Sequence, residues 1–442
     1  MLATENHVQS RVLLDRLHSG RQVTDQLFDV VKPAFLYERP IPERHRIIFY
    51  IGHLESFDWN LLRERIFDLP SLHPEFDQLF AFGIDPVGGG LPTDLPGDWP
   101  SLDKVRDYAR RIRQSLDNAL EKATASTHPS QEFSPDLLLN VAIEHRLMHA
   151  ETLAYMFHQL PLEQKISVPP ATRVVHAPIQ PAMIEIPAGS ARLGLSRRDE
   201  DQFGWDNEYE AHEVDVTAFA IDKYKVSNSQ YLEFMSAGGY ERPDYWRDED
   251  WNWRKQHDIS HPVFWKPING QWHYRTMFHE IQLPLNWPVY VSHAEASAYA
   301  LWAGKSLPTE AQWHRAAYGH SGGSERLYPW GNDVPQPKFG NFDFESWDPA
   351  PVNASPDGQS ALGVDDLLGN GWEWTSTVFV PFPGFRQFSF YPGYSDNFFD
   401  GKHYVMKGGS ARTAACMLRR SFRNWFQAHY QYVYAGFRCV SN

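Results

Sequence analysis

The sequence predicts a two-domain α+β protein, an N-terminal four-helix bundle followed by a loop-rich domain of short strands. Three observations predict it. The chain has 442 residues, which at ~150 residues per domain makes two or three domains. Apolar residues recur at helical spacing up to residue 160 and mostly lose that period after Met183. Between the two stretches, Pro161, Pro169, Pro170, Pro178 and Pro181 lie among short polar runs, the composition of a linker. The expected boundaries are 1–160 for the bundle, 161–182 for the linker and 183–442 for the second domain.

The helical elements follow in order. Over 8–31, Leu13, Leu14, Leu17, Leu27 and Val30 keep an amphipathic spacing. Pro40 and Pro42 break the pattern, and 44–67 is the second helix. A loop over 83–100 holds Gly88-Gly89-Gly90 and four prolines. Ser101, with Asp103 in the first turn, opens a third helix to about residue 124. Ser134-Pro135-Asp136 opens a fourth to residue 160. Four segments of this length suit a four-helix bundle. In the second domain, helices are expected over 228–237 and 293–303, and from Thr309, where Gln312 completes a capping box. Short apolar runs such as 183–186 and 214–216 read as strands.

Composition excludes several functions. Hydrophobic residues at 42% and charged residues at 22% rule out a disordered chain. With 41 basic and 55 acidic residues, the net charge of −14 argues against nucleic acid as a partner. Two cysteines are too few for a disulfide scaffold or a Cys-rich metal site. No run of ~18 apolar residues predicts a membrane helix, and residues 1–7 lack the basic-then-apolar order of a secretion signal. A cytoplasmic protein is expected. Sixteen tryptophans point to sites packed and lined by rings.

The sharpest chemical signal is Glu144-His145-Arg146-Leu147-Met148-His149-Ala150-Glu151. His145 and His149 are four apart on a helix, so both rings leave one face and can reach one metal ion. Glu151 lies about 200° around the helix from His149 and is a poor third ligand. The third comes from another helix, where His53 sits in an apolar run and needs a partner. Gly52 beside it permits close helix approach. Three neutral histidines leave coordination positions open for Fe(II) with substrate and oxygen, or for Zn(II) with water.

The second domain resembles the formylglycine-generating-enzyme fold, also called the sulfatase-modifying-factor fold and C-type-lectin-like in architecture. The resemblance is carried by Asp206-Asn207-Glu208, Gly238-Gly239-Tyr240, the run from Trp302 to Trp313, Tyr328-Pro329-Trp330-Gly331-Asn332, Gly369-Asn370-Gly371-Trp372-Glu373-Trp374-Thr375, Gly408-Gly409-Ser410 and Gly436-Phe437-Arg438. The two active-site cysteines of those enzymes fall at about Thr413 and Leu418 here, with Cys416 out of register, so cysteine-based chemistry is not expected. A DinB-like bundle carrying H-x-x-x-H-x-E and fused to this fold is similar to the ergothioneine-pathway sulfoxide synthases over the whole chain.

That resemblance implies an oxygen-dependent non-heme Fe(II) oxidoreductase. It would join a thiol or selenol donor to the imidazole ring of hercynine or a related histidine derivative and give a sulfoxide-type product. The family's iron ligands map onto His53, His145 and His149. Its proton-donating tyrosine maps onto Tyr391, with Tyr394 as the alternative; a phenol suits proton donation. Trp425, in Arg423-Asn424-Trp425, matches a tryptophan that lines the betaine site, where a ring face can hold a trimethylammonium group. Asn424 is a further expected substrate contact, as is Met148, which stands where the family commonly has a hercynine-contacting Gln. Ligands before residue 160 and Tyr391 and Trp425 after residue 380 imply that neither half alone holds a complete site.

The chain also departs from the family. Users of γ-glutamylcysteine hold its carboxylates with arginines in the loop after the second bundle helix. Here no arginine occurs between Arg65 and Arg106, and Asp94 and Asp98 are expected to repel a carboxylate. Donor carboxylates would fall to Arg386, Arg420, Arg412, Arg419 or Arg423; otherwise the donor is a neutral thiol or selenol such as a seleno-sugar. Arg146 stands where the family often has Glu. Ca2+ is a candidate ion for the second domain. Two other function classes compete: a non-catalytic recognition module, and a zinc-dependent thiol transferase on the same bundle that works without oxygen.

Overall fold

A computed structural model describes residues 2–83, 91–123, 133–169, 179–198, 202–320 and 324–441. The chain forms two compact units, Met1–Val168 and Pro169–Asn442.

The first unit is helical: α1 (Leu2–Phe28), α2 (Ile47–Leu62), α3 (Pro74–Phe82), α4 (Leu102–Ala123) and α5 (Pro135–Gln159). α5 packs on α1 and α2, and α2 also packs on α3 and α4. That central position explains the composition of α2 and α5. Both are buried around most of their circumference, and both carry polar residues inside, including Glu55 and Asp58 on α2 and Glu144 and Arg146 on α5. A helix buried all round needs partners for every such group.

The bundle differs from the expected four helices by the short α3. Its nine residues are too few to display a helical period in sequence, and it is bounded by Pro74 and by Gly83 at φ 78°. His73 caps it, accepting from the Phe76 amide at 3.3 Å. Buried Asp77 then accepts from Tyr108 at 2.7 Å and from Trp59 at 3.3 Å, tying α3 to α4 and α2. α2 ends earlier than expected; residues 63–67 form one wide π-type turn closed by Asp68 in the left-handed region. Residues 161–168 return to the bundle. The Ile166 amide donates to Val30 O and the Lys32 amide to Gln164 O, both at 2.9 Å, and Lys165 is buried. Part of the expected linker and Gly88-Gly89-Gly90 lie outside the described residues. No helix among the described residues is long and apolar enough to cross a membrane.

The second unit has four small sheets among the described residues. β1 (Met183–Ile186), β4 (Phe219–Asp222) and β12 (Val440–Ser441) form one; β2 (Gly189–Leu193) pairs with β3 (His212–Val216). β5 (Trp265–Ile268), β6 (Gln271–Arg275) and β7 (Glu280–Gln282) form the third. The fourth has the order β10-β9-β8-β11, from β8 (Trp372–Val378), β9 (His403–Lys407), β10 (Asn424–Gln427) and β11 (Ala435–Gly436); β8 and β11 are parallel. Four helices accompany them, α6 (Asn228–Ser236), α7 (Asp248–Gln256), α8 (His293–Trp302) and α9 (Glu310–Tyr318). Ser227, Ser292 and Thr309 cap α6, α8 and α9 with full capping boxes. α7 was not expected. Its apolar residues are few, and acidic residues in its first turn with basic ones in its last suit the helix dipole instead. Trp313 of α9 anchors a core with Phe342, Leu367 and Leu418. Buried Glu373 of β8 receives a two-pronged ion pair from Arg438, at 2.5 and 2.9 Å.

Candidate metal centre

Three imidazoles converge in the first unit. His53 projects from the middle of α2, and His145 and His149 project from α5 one turn apart. One ring nitrogen from each lies within 4.8 Å of the others, the only such group of three among the described residues. The closest approach is His53 Nε2 to His149 Nε2 at 3.3 Å.

The tautomer of His53 follows from its other nitrogen. Nδ1 lies 2.7 Å from the carbonyl oxygen of Phe80, which only accepts, so Nδ1 carries the proton. Nε2 therefore presents its lone pair toward His149. Burial lowers His53 to a pKa of about 4 and pushes His145 and His149 well below the ordinary value. All three rings are neutral at pH 7, as metal binding requires. Phe49 stacks on His53 at 4.7 Å, Phe57 on His145 at 3.4 Å, and Tyr50 sits 5.7 Å from His149. Close apolar walls of this kind hold rings in place and exclude water. Met148 is half-buried on the same helix, while Glu151 is buried.

The loop after α3 corrects the expected repulsion. The Asp94 side chain is buried and paired with Arg39 and Arg46, the latter at 3.0 Å, and accepts from Trp99 Nε1 at 2.7 Å. Burial opposes ionisation, but these donors outweigh it and hold the carboxyl below its usual range. Asp94 is thus an ionised carboxylate offset by two guanidinium groups, not the bare charge expected. Both arginines come from before α2, so counting charges within the loop missed them. Asp98 accepts from the Leu95 amide at 2.7 Å and serves as a local cap.

In the second unit, Tyr391 and Tyr394 sit 5.4 Å apart beside Trp205, with Tyr394 stacked on that indole at 4.1 Å. Ser395 binds this segment to buried Asp206 and accepts from Asn207 Nδ2 at 3.0 Å. Burial, with the Asp206 charge second, pushes the Tyr391 phenol up to about 12, so it is protonated at pH 7. Trp425 on β10 stacks on Phe379 at 4.2 Å and meets the edge of Tyr394 at 5.5 Å. Asn424, beside it, accepts from the Trp425 amide at 2.9 Å. Half-buried Trp425, Tyr394 and Phe398 pack with buried Phe379 in an aromatic cluster whose chemistry suits an ammonium group.

The arginines named for a donor carboxylate are mostly engaged. Arg419 pairs with Glu208 at 2.5 Å, Arg420 with Glu325 at 3.1 Å and Arg423 with Glu310 at 3.1 Å. Arg412 lies over Trp347 at 4.0 Å, and Arg386 is exposed. No three carboxylates converge as a Ca2+ cage among the described residues. Phe80, Trp205 and Asp206 went unread as site residues. Gly52 and the Asp206-Asn207-Glu208 run were the available signals.

The comparisons agree with this two-part layout. Residues 171–442 match the sulfatase-modifying factor enzyme 1-like domain and residues 16–153 match the DinB superfamily. Hercynine oxygenase of Mycolicibacterium smegmatis is 33% identical, over 98% of this chain and 99% of that one. Hercynine oxygenase of Mycobacterium tuberculosis is 40% identical over 56% of this chain and 57% of its own length. Ergothioneine biosynthesis protein 1 of Schizosaccharomyces pombe is 28% identical over 92% of this chain and 53% of its own. The chain belongs to the hercynine oxygenase family of ergothioneine-pathway sulfoxide synthases, with a DinB-type helical domain and a sulfatase-modifying-factor domain.

Proposed function

We propose that the chain is an oxygen-dependent non-heme iron enzyme that joins a sulfur or selenium donor to the imidazole ring of hercynine, giving a sulfoxide-type product. The observation that carries the reading is the convergence of three neutral imidazoles, two buried and one half-buried, within 4.8 Å. The donor set fits a divalent ion of the first transition row, because all three ligands are nitrogen and His53 already presents a lone pair. His53, His145 and His149 would hold Fe(II), which supplies oxygen activation and open coordination positions.

The chain's own residues supply the rest. The Phe80 carbonyl keeps His53 in the ligating tautomer, and Phe49 and Phe57 keep the rings oriented and dry. Trp425 would take the trimethylammonium group of the betaine on its face, with Asn424 beside it and Met148 as a further contact. Tyr391, protonated at pH 7, would donate the proton, with Tyr394 as its neighbour. A buried phenol of this kind holds its proton until an acceptor of higher basicity is placed against it.

The test is anaerobic loading with Fe(II), then oxygen, hercynine and a panel of thiols, with products resolved by mass. A hercynine–sulfur adduct that forms only with oxygen supports the reading. Formation without oxygen would favour a zinc-type transferase, and iron below stoichiometry with no oxygen uptake would favour a recognition module. His145→Ala should lose iron and product together; full iron content in that variant refutes the ligand assignment.

A further inference from the structure

Arg146 follows a histidine of the metal centre, and its own hydrogen bonds go to other groups. Its side chain is 0% exposed. The guanidinium reaches three groups on α2 within one turn: Leu54 O at 2.9 Å, Glu55 Oε1 at 2.9 Å and Asp58 Oδ2 at 2.6 Å. A fourth bond, at 3.3 Å, goes to Thr24 on α1. The three α2 partners begin at the residue after His53. The same two helices therefore meet twice, through the histidines and through this fork.

We propose that Arg146 is a positioning residue for the metal centre: its guanidinium locks the axial register of α5 against α2, so that His145 and His149 meet His53. The inference rests on the metal-centre reading above. A helix advances about 1.5 Å per residue. A slide of one residue would carry bonds of 2.6–2.9 Å out of range and separate the ring nitrogens by a similar amount. A planar fork with three fixed partners resists such a slide, and a lysine, with one rotatable point charge, cannot reproduce it.

The charges around it make a clean test available. Glu55 has a second cation, Arg113 of α4, at 2.8 Å. Asp58 pairs with Arg146 alone among the ion pairs of the described residues. Arg146→Met with Asp58→Asn removes one charge of each sign and leaves the Glu55–Arg113 pair in place. Replacing a buried ion pair by uncharged groups of similar size is commonly tolerated by a fold.

Co(II) alone is the probe, titrated into the metal-free full chain, with the ligand-field bands giving both affinity and geometry. Folding is checked by circular dichroism at the same temperature. In the folded double variant, Co(II) affinity is expected to fall about tenfold or more, the loss typical when groups that orient metal ligands are removed, and the band pattern is expected to change. A merely structural arginine would lower the melting temperature and leave both readouts as in the parent. Parent-like affinity and bands in the folded variant overturn the proposal. Should the double variant not fold, Arg146→Lys keeps the charge and drops the fork: weakened Co(II) binding with altered bands supports the proposal, and parent-like binding overturns it. If the unsubstituted chain binds no Co(II), the metal-centre reading fails first and this inference with it.

Discussion

Gly52→Ala is the most discriminating single substitution in the bundle. In an open helix interior, alanine for glycine stabilises by about 1 kcal/mol. Here a Cβ at Gly52 would lie 2.4 Å from two ring carbons of Phe80 and 2.6 Å from a third. Ordinary carbon contacts are about 3.5–4.0 Å, so the ring must retreat by more than about 1 Å. It has nowhere easy to go. Phe80 is 0% exposed, with Trp99 at 6.4 Å, Tyr108 at 5.7 Å and Phe76 at 5.4 Å around it. Overpacking of this kind costs about 1–3 kcal/mol. The net expectation is a loss of about 1 kcal/mol where helix propensity alone promises a gain of that size. For a unit of this length that is about 2–4 °C in melting temperature.

The same displacement reaches the site, because the Phe80 carbonyl holds His53 Nδ1 at 2.7 Å. Gly52→Ala should therefore weaken Co(II) or Fe(II) binding as well as stability. The assay is thermal unfolding of the metal-free chain for Gly52→Ala, Phe80→Ala and the double variant, with a metal titration on each. In the Phe80→Ala background the added methyl should become neutral or favourable, since the ring atoms it struck, Cγ, Cδ1 and Cε1, are gone. A Gly52→Ala chain that melts higher than the parent and binds metal equally well would refute the reasoning.

Three further outcomes are expected. With His53 lowered from 6.5 to about 4, and His145 and His149 lowered in the same direction, the unfolded chain takes up protons first as pH falls; stability of the metal-free protein should be complete above 6.5, fall as pH drops toward 4, and fall less steeply in His53→Gln. Tyr391→Phe should reduce turnover by about 10²–10⁴-fold at unchanged iron content, whereas Tyr394→Phe should not; reversed results would move the proton donor to Tyr394. In competition among cysteine, γ-glutamylcysteine and a thio- or seleno-sugar, γ-glutamylcysteine should not be preferred, because Arg39 and Arg46 are held by Asp94 and Arg419, Arg420 and Arg423 by glutamates; a clear preference for it, resolved by product mass, would show that guanidinium groups reach the donor by another route.

What the residues disclosed, and what they hid, divides along a physical line. The three histidines were legible because their signal is local. Two rings four apart on one helix share a face, and a lone histidine in an apolar run demands a partner. The capping box at Thr309 was legible for the same reason. Polar partners far along the chain stay hidden in a sequence. Asp94 looked like a bare carboxylate in a loop without arginines, yet Arg39 and Arg46 reach it from 55 and 48 residues upstream. Asp206 and Ser395 meet across 189 residues, and Arg146 and Asp58 across 88. A buried charge must find its opposite somewhere, so an acidic residue in a sequence marks a demand for a cation without saying whether the protein or the substrate meets it. In this chain the protein meets it at Asp94, Glu208, Glu310 and Glu325 alike. The consequence for specificity is that an arginine counts toward substrate recognition only after its internal carboxylate has been subtracted, and among the candidates here Arg386 is the exposed one left to test.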